Sequence, residues 1–181
     1  MNPRLVTASM VVAACGGAPP PVSISTTPPA NAAQAYPGCH ATAIEPDLKP
    51  TPTQVVNAAT ATSGDVWISS TYLALTPDPK GQATFRSLMA DLLRVLPTTP
   101  GLISFEFSTS ESCLSARTLA VWHDEAAMDA FVRSPAHYAA MRQSNALSRG
   151  TSTFTRWHGP IESATWNHAA KVLAEQDGPY Q

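Results

Sequence analysis

The sequence predicts an α+β fold: one antiparallel sheet with helices on one face, preceded by a disordered Pro-rich N-terminal segment. Three observations predict it. Residues 66–75, 102–109, 116–122 and 151–158 are short runs rich in β-branched, aromatic or alternating apolar residues, bounded by turn formers. The stretches between the first and second runs, and between the third and fourth, carry apolar residues at spacings of three and four, the period of a helix with one buried face. Strand, helix, two strands, helix, strand is then the ferredoxin-like βαββαβ order on one sheet.

Each element has its own signal. Val66, Trp67, Ile68 and Tyr72 make the first strand, between Gly64-Asp65 and Pro77. Phe85, Leu88, Met89, Leu92, Leu93 and Leu96 make the first helix, stopped by Pro97 and Pro100-Gly101. Ile103, Phe105 and Phe107 alternate with Ser104, Glu106 and Ser108, and a Ser-rich turn at 110–115 leads into the third strand. Asp124 is placed to cap the next helix, whose inner face carries Ala127, Met128 and Phe131. Ser134-Pro135 restarts helix formation, because Ser caps and Pro is tolerated in a first turn. The fourth strand follows, and Trp166, Ala169, Ala170 and Leu173 suggest a closing helix. Phe105, Phe107, Trp122 and Trp157 are costly to expose together, so a second sheet, supplied by dimerisation, is expected against the face without helices.

The N-terminal part is a different polymer. Arg4, the mostly apolar run Leu5–Ala14 and the small residues Ala13 and Ala14 have the layout of an export signal over residues 1–14. Val12-Ala13-Ala14-Cys15 resembles the lipobox of bacterial lipoprotein precursors, which implies cleavage before Cys15 and lipidation of it. Gly16 is not an acidic inner-membrane retention signal, so the expected location is the cell envelope, at the outer membrane where the host has two. Residues 15–64 are expected to form an extended tether, since Pro19 to Pro21, Pro28-Pro29, Pro37, Pro46, Pro50 and Pro52 disfavour helix and Ser, Thr and Ala offer little to bury. Within it, 54–64 reads as a short helix or turn. The folded domain is expected over 65–175 and a tail over 176–181.

Composition limits the partners. With 44% hydrophobic and 13% charged residues and a net charge of -2, the chain suits a globular core and offers nucleic acid no electrostatic footprint. Arg117, Arg133, Arg142 and Arg156 read as solvated surface, since no Gly-rich phosphate loop accompanies them. His123, His137 and His158 lack the close pairing of zinc or iron sites, and no metal is expected. With Cys15 lipidated, Cys39 and Cys113 form an even pair in an oxidising compartment; they either join tether to domain or stay free thiols.

From about Val66 to Pro160 the chain resembles the dimeric α+β barrel superfamily, and within it the antibiotic biosynthesis monooxygenase type. The residues that carry the likeness are Thr118-Leu119-Ala120-Val121-Trp122, Ala127, Phe131, Ser134-Pro135-Ala136-His137 and Ala140-Met141. The resemblance implies a homodimer and, for the quinone-forming members, oxygen chemistry without metal, flavin or other cofactor, on a small aromatic substrate. Haem-degrading relatives would require Asn, Trp and His where this chain has Thr71, Phe131 and Met141, which argues against haem.

Cofactor-free oxygenation needs a base near an acidic group of the substrate and aromatic walls for a flat ring. His137 is the candidate catalytic base, and Trp67, Tyr72, Trp122, Phe131 and Met141 are the candidate substrate-binding residues. Tyr72 follows Thr71 and points to the other strand face, so the two cannot line one pocket without a bulge. Two functions from different classes follow: an envelope-anchored oxygenase, or a non-catalytic lipoprotein that binds a small ligand or only dimerises.

Overall fold

The computed structural model describes residues 36–57 and 64–176. The expected export signal over 1–14, Cys15, the first part of the expected tether, residues 58–63 and residues 177–181 lie outside the described residues. Six strands, β1 (Lys49–Pro50), β2 (Gln54–Val55), β3 (Asp65–Leu75), β4 (Leu102–Ser110), β5 (Ser115–Trp122) and β6 (Ser148–Pro160), form one antiparallel sheet in the order β1-β4-β5-β3-β6, with β2 also beside β4. The helices are α1 (Pro79–Val95), α2 (Glu125–Val132), α3 (Pro135–Arg142), the single turn α4 (Ser144–Leu147) and α5 (Trp166–Gln176). Strands β3, β4, β5 and β6 with α1, α2 and α3 make the ferredoxin-like α+β unit.

Strand pairing sorts the side chains. Trp67 lies opposite Trp122, Ser69 opposite Ala120, Thr71 opposite Thr118, and these face the helices. Ile68 lies opposite Val121, Ser70 opposite Leu119 and Tyr72 opposite Arg117 on the other face. Leu102 and Ile103 alternate as strand residues do, Leu102 packing with Trp122 and Met128 and Ile103 with Ile68 and Val121, and a shift in register between Leu102 and Ser104 then keeps Ser104 on the same face as Ile103.

Local chemistry sets the helix starts. The Asp78 carboxylate accepts the Gly81 N–H at 2.8 Å, with Pro79 in the first turn of α1. Asp124 accepts the Ala127 N–H at 2.7 Å to start α2, and that bond holds its carboxyl below the usual range. Helix α1 is less buried than its apolar spacing suggests: Phe85 enters the core, Leu88 and Met89 pack beside it, and Leu93 is exposed.

The face without helices α1 to α3 is covered in part from within the chain. Ala169 and Leu173 of α5 pack on Val66, Ile68, Tyr72 and Ala74. Phe105 and Trp122 face the helix layer instead, and Phe107 meets Phe85 of α1 at 6.4 Å. Trp157 does lie on the other face, where its indole N–H donates to Ser163 Oγ at 2.9 Å and its ring meets His168 of α5 at 5.2 Å. The four aromatic residues that called for a second sheet thus find their cover in this chain.

Residues 36–57, expected in the tether, form a strap across the β4–β5 hairpin. Cys39 and Cys113 are joined by a disulfide, with S–S 2.06 Å and Cα atoms 5.4 Å apart. Asp47 accepts from the Ser110 and Ser112 hydroxyls at 2.6 and 2.7 Å and from the Glu111 and Ser112 amides, and these bonds, Ser110 first, hold its carboxyl well below the usual range. Gln54 and Val55, expected in a helix or turn, pair with β4. Extended chain has backbone groups to offer a sheet edge, and a proline that disfavours helix is tolerated in an edge strand, where its missing N–H breaks no ladder bond.

Arg117 is the clearest departure from the sequence reading. It is 1% exposed, not solvated. Its Nε donates to Glu45 at 2.8 Å and its terminal nitrogens donate to the carbonyls of His40, Ala41 and Ala43, so the strap supplies its partners. Arg133, Arg142 and Arg156 do reach the surface.

Candidate functional site

The helix face of the sheet carries a chain of aromatic contacts that ends at His137. Trp122 closes β5 at 1% exposure, and its indole N–H donates to Ser69 Oγ at 2.9 Å, which fixes the ring plane. Phe131, on the inner face of α2, meets the Trp122 ring at 5.3 Å, and His137 of α3 meets Phe131 at 5.0 Å. Trp67, opposite Trp122 across the β3–β5 ladder, packs against the same cluster and is flanked by His158 at 5.4 Å and by the Arg156 guanidinium at 5.9 Å.

Helix α3 positions His137. Ser134 caps it, its hydroxyl accepting the His137 backbone N–H at 3.3 Å, and Pro135 occupies the first turn. The ring is half-buried, and its Nδ1 lies 3.1 Å from the Val132 carbonyl oxygen at the end of α2. Burial pushes the imidazole pKa down from its ordinary value, while the Val132 carbonyl acts in the opposite direction. The ring is therefore held neutral near pH 7, the state in which an imidazole accepts a proton.

Trp67, Trp122, Phe131 and His137 thus come together on one face. Tyr72 does not join them: it is 0% exposed on the opposite face, beneath the Arg117 guanidinium at 4.6 Å, packed with Ala41 and Leu173. The strand's two-residue period excludes it as a wall of the His137 site. Met141 stands at the surface at 42% exposure, as does the neighbouring Tyr138. Thr71 binds Thr118 hydroxyl to hydroxyl at 2.6 Å on the helix face.

Two contributors escaped the sequence reading. Ser69 looks like any serine in a strand, and its role needs the β3–β5 register. The Val132 carbonyl carries no residue-type signal; the nearby Ser134-Pro135 interruption was the available hint. Among the described residues, no group of three or more His, Cys, Asp or Glu is arranged to hold a metal ion.

A concavity of about 270 Å³ lies on the sheet face opposite His137. Ile103, Leu119 and Val121 give it an aliphatic lining, Val55 and Ile161 border it, and Glu106 accepts the Thr53 hydroxyl at 2.5 Å within it.

The profile of the family described as antibiotic biosynthesis monooxygenase matches residues 72–143, a span that includes Trp122, Phe131 and His137. No curated protein matches the chain. Among solved structures, protein SO0527 from Shewanella oneidensis is 17% identical, with 62% of this chain and 96% of that chain covered at a TM-score of 0.46. Rv0793 from Mycobacterium tuberculosis is 17% identical, with 56% and 100% covered at 0.46. LmHde, a heme-degrading enzyme from Listeria monocytogenes, is 13% identical, with 62% and 71% covered at 0.47. Likeness at this level says nothing of the reaction. On the profile match and the strand order together, residues 72–143 are similar to antibiotic biosynthesis monooxygenase domains and belong to an α+β ferredoxin-like fold.

Proposed function

We propose that this domain is a cofactor-independent oxygenase acting on a small aromatic compound, with His137 as general base. The observation that carries the reading is the contact series Trp122–Phe131–His137, which sets a half-buried neutral imidazole against an aromatic wall. For an anthrone-type substrate, the ring takes a proton from the acidic CH₂ carbon and the resulting anion reduces O₂. One oxygen atom becomes the new carbonyl and the other leaves as water. Trp67 and Phe131 flank the reacting ring in this reading, Trp122 backs Phe131 from the core, and Tyr72 and Met141 take no part.

Oxygen consumption by the purified full chain, measured across a panel of anthrones and hydroquinones, tests the proposal. Turnover of at least one compound and its loss in His137→Ala are expected. Turnover unchanged by His137→Ala would remove the base, and no consumption across the panel would remove the reaction.

The same proposal places the protein in the cell envelope, anchored through a lipidated Cys15. The Cys39–Cys113 disulfide supports an oxidising compartment, because such bonds persist there. Intact-mass measurement of the mature chain tests it: a diacylglyceryl-modified N-terminus at Cys15 is expected, and an unmodified Met1 terminus would refute it. The homodimer implied by the family resemblance belongs to this proposal too, with the sheet surface near Val55 and Ile161 as the area open to a second copy.

A second reading, non-catalytic binding of a small apolar ligand, is favoured by the concavity lined by Ile103, Leu119 and Val121. Native mass spectrometry distinguishes the two: a retained ligand whose loss follows Leu119→Trp and not His137→Ala supports the second.

A further inference from the structure

The junction between α2 and α3 departs from a continuous helix in a way that bears on His137. In an unbroken helix the Val132 carbonyl would accept the backbone N–H of residue 136, and the His137 backbone N–H would go to residue 133. Here the Ser134 N–H turns back to the Phe131 carbonyl at 2.9 Å, Pro135 has no N–H to give, and the His137 backbone N–H goes to the Ser134 hydroxyl at 3.3 Å. The Val132 carbonyl instead meets the His137 ring at Nδ1, 3.1 Å away and five residues on.

A carbonyl oxygen only accepts hydrogen bonds. The proton between it and the ring must therefore sit on Nδ1, and in a neutral imidazole the lone pair is then on Nε2. We infer that Val132 to Pro135 is a positioning device: the helix break presents a backbone acceptor that fixes His137 as the tautomer whose Nε2 takes a proton from substrate. This rests on the base role proposed above and assigns that role to one nitrogen. When Nε2 gains a proton the ring becomes a cation, and its Nδ1–H bond to Val132 strengthens, so the acceptor serves both protonation states. Val132 touches no substrate in this scheme; its effect passes through the ring. Phe131 packs beside the imidazole at 5.0 Å, its plane tilted by 56° to the ring.

The test is a long-range proton–nitrogen correlation spectrum of the ¹⁵N-labelled full chain above neutral pH, with the His137 ring signals identified by their loss in His137→Gln. A single neutral tautomer, protonated on Nδ1, is expected. A ring protonated on Nε2, or an even mixture, overturns the inference whatever the activity. The double variant Ser134→Ala/Pro135→Ala restores a helix-compatible sequence and should shift the ring toward a mixture, with kcat reduced in proportion to the lost tautomer, about twofold for an even mixture, at unchanged KM if the base role holds. Ser134→Asp keeps the cap and should keep the tautomer. Should the double variant fail to fold, the spectrum of the unmodified chain still decides. A correct tautomer in a chain that consumes no oxygen would sink the oxygenase reading and leave the positioning device intact.

Discussion

Glu45 and Arg117 stand 72 residues apart in the chain and meet at 2.8 Å, with both side chains closed off from solvent. The pair fastens the strap to the β5 strand, and Ser115 donates a further hydrogen bond to the second Glu45 oxygen at 2.5 Å. A buried ion pair with its remaining donors and acceptors satisfied costs little to keep and much to break on one side.

Glu45→Ala should therefore destabilise the chain by about 3–5 kcal/mol, because it leaves the Arg117 guanidinium buried with carbonyls but no counter-charge. Glu45→Gln should cost less, since it retains the hydrogen-bonding shape. Urea denaturation of the two variants checks the order; equal midpoints for Glu45→Ala and the parent chain would show that the strap is not held through this pair.

The disulfide acts on the same strap from a separate anchor. Cys39 and Cys113 enclose a loop with a sequence separation of 74, which on the chain-entropy account places the loss on reduction at about 4 kcal/mol. Thermal unfolding of the Cys39→Ser/Cys113→Ser chain should show a lower midpoint with the cooperative transition preserved, since Glu45, Asp47 and the β1 and β2 pairings still hold the strap. Loss of the transition would mean that the disulfide is the main tie.

Ser69→Ala should cost about 1–3 kcal/mol, because the Trp122 indole N–H then lies buried without its acceptor. The difference in near-UV circular dichroism between Ser69→Ala and the parent chain reports the change at Trp122 against the other three tryptophans. An unchanged spectrum and unchanged stability would show that another acceptor replaces the serine.

The His137 ring sets a pH dependence with a definite sign. Burial lowers its pKa from the ordinary 6.5, so as pH falls the unfolded chain takes up this proton before the folded chain does. The stability tied to the neutral ring is fully present above about pH 6.5 and is lost as pH falls from there through the lowered folded value. His137→Gln removes that component, so the stability of the parent relative to the variant should fall on acidification below 6.5 and stay constant above it. The same sign governs turnover: the base is available down to its lowered pKa, and the acid limb of kcat/KM should lie below 6.5. A limb above 6.5 would contradict the burial of the ring.

The sequence by itself determined the strands, the helices and their order, because each is written in local terms. Phe105 and Phe107 alternate with polar neighbours, Asp124 and Ser134 cap, and Pro79, Pro97 and Pro135 start or stop helices without reference to the rest of the chain. It also placed Trp122, Phe131 and His137 on consecutive elements, and the two-residue strand period already set Tyr72 apart from Thr71. What covers each face depended on tertiary structure, since burial is a relation between distant segments: Arg117 reads as surface until the carbonyls of His40, Ala41 and Ala43 are folded over it, and Trp157 reads as an interface until α5 packs there. The His137 site divides along the same line. Residue types suggested a base among aromatics, while the nitrogen that carries its proton was decided by the Val132 backbone carbonyl, a group every residue possesses and whose direction the folded chain alone sets.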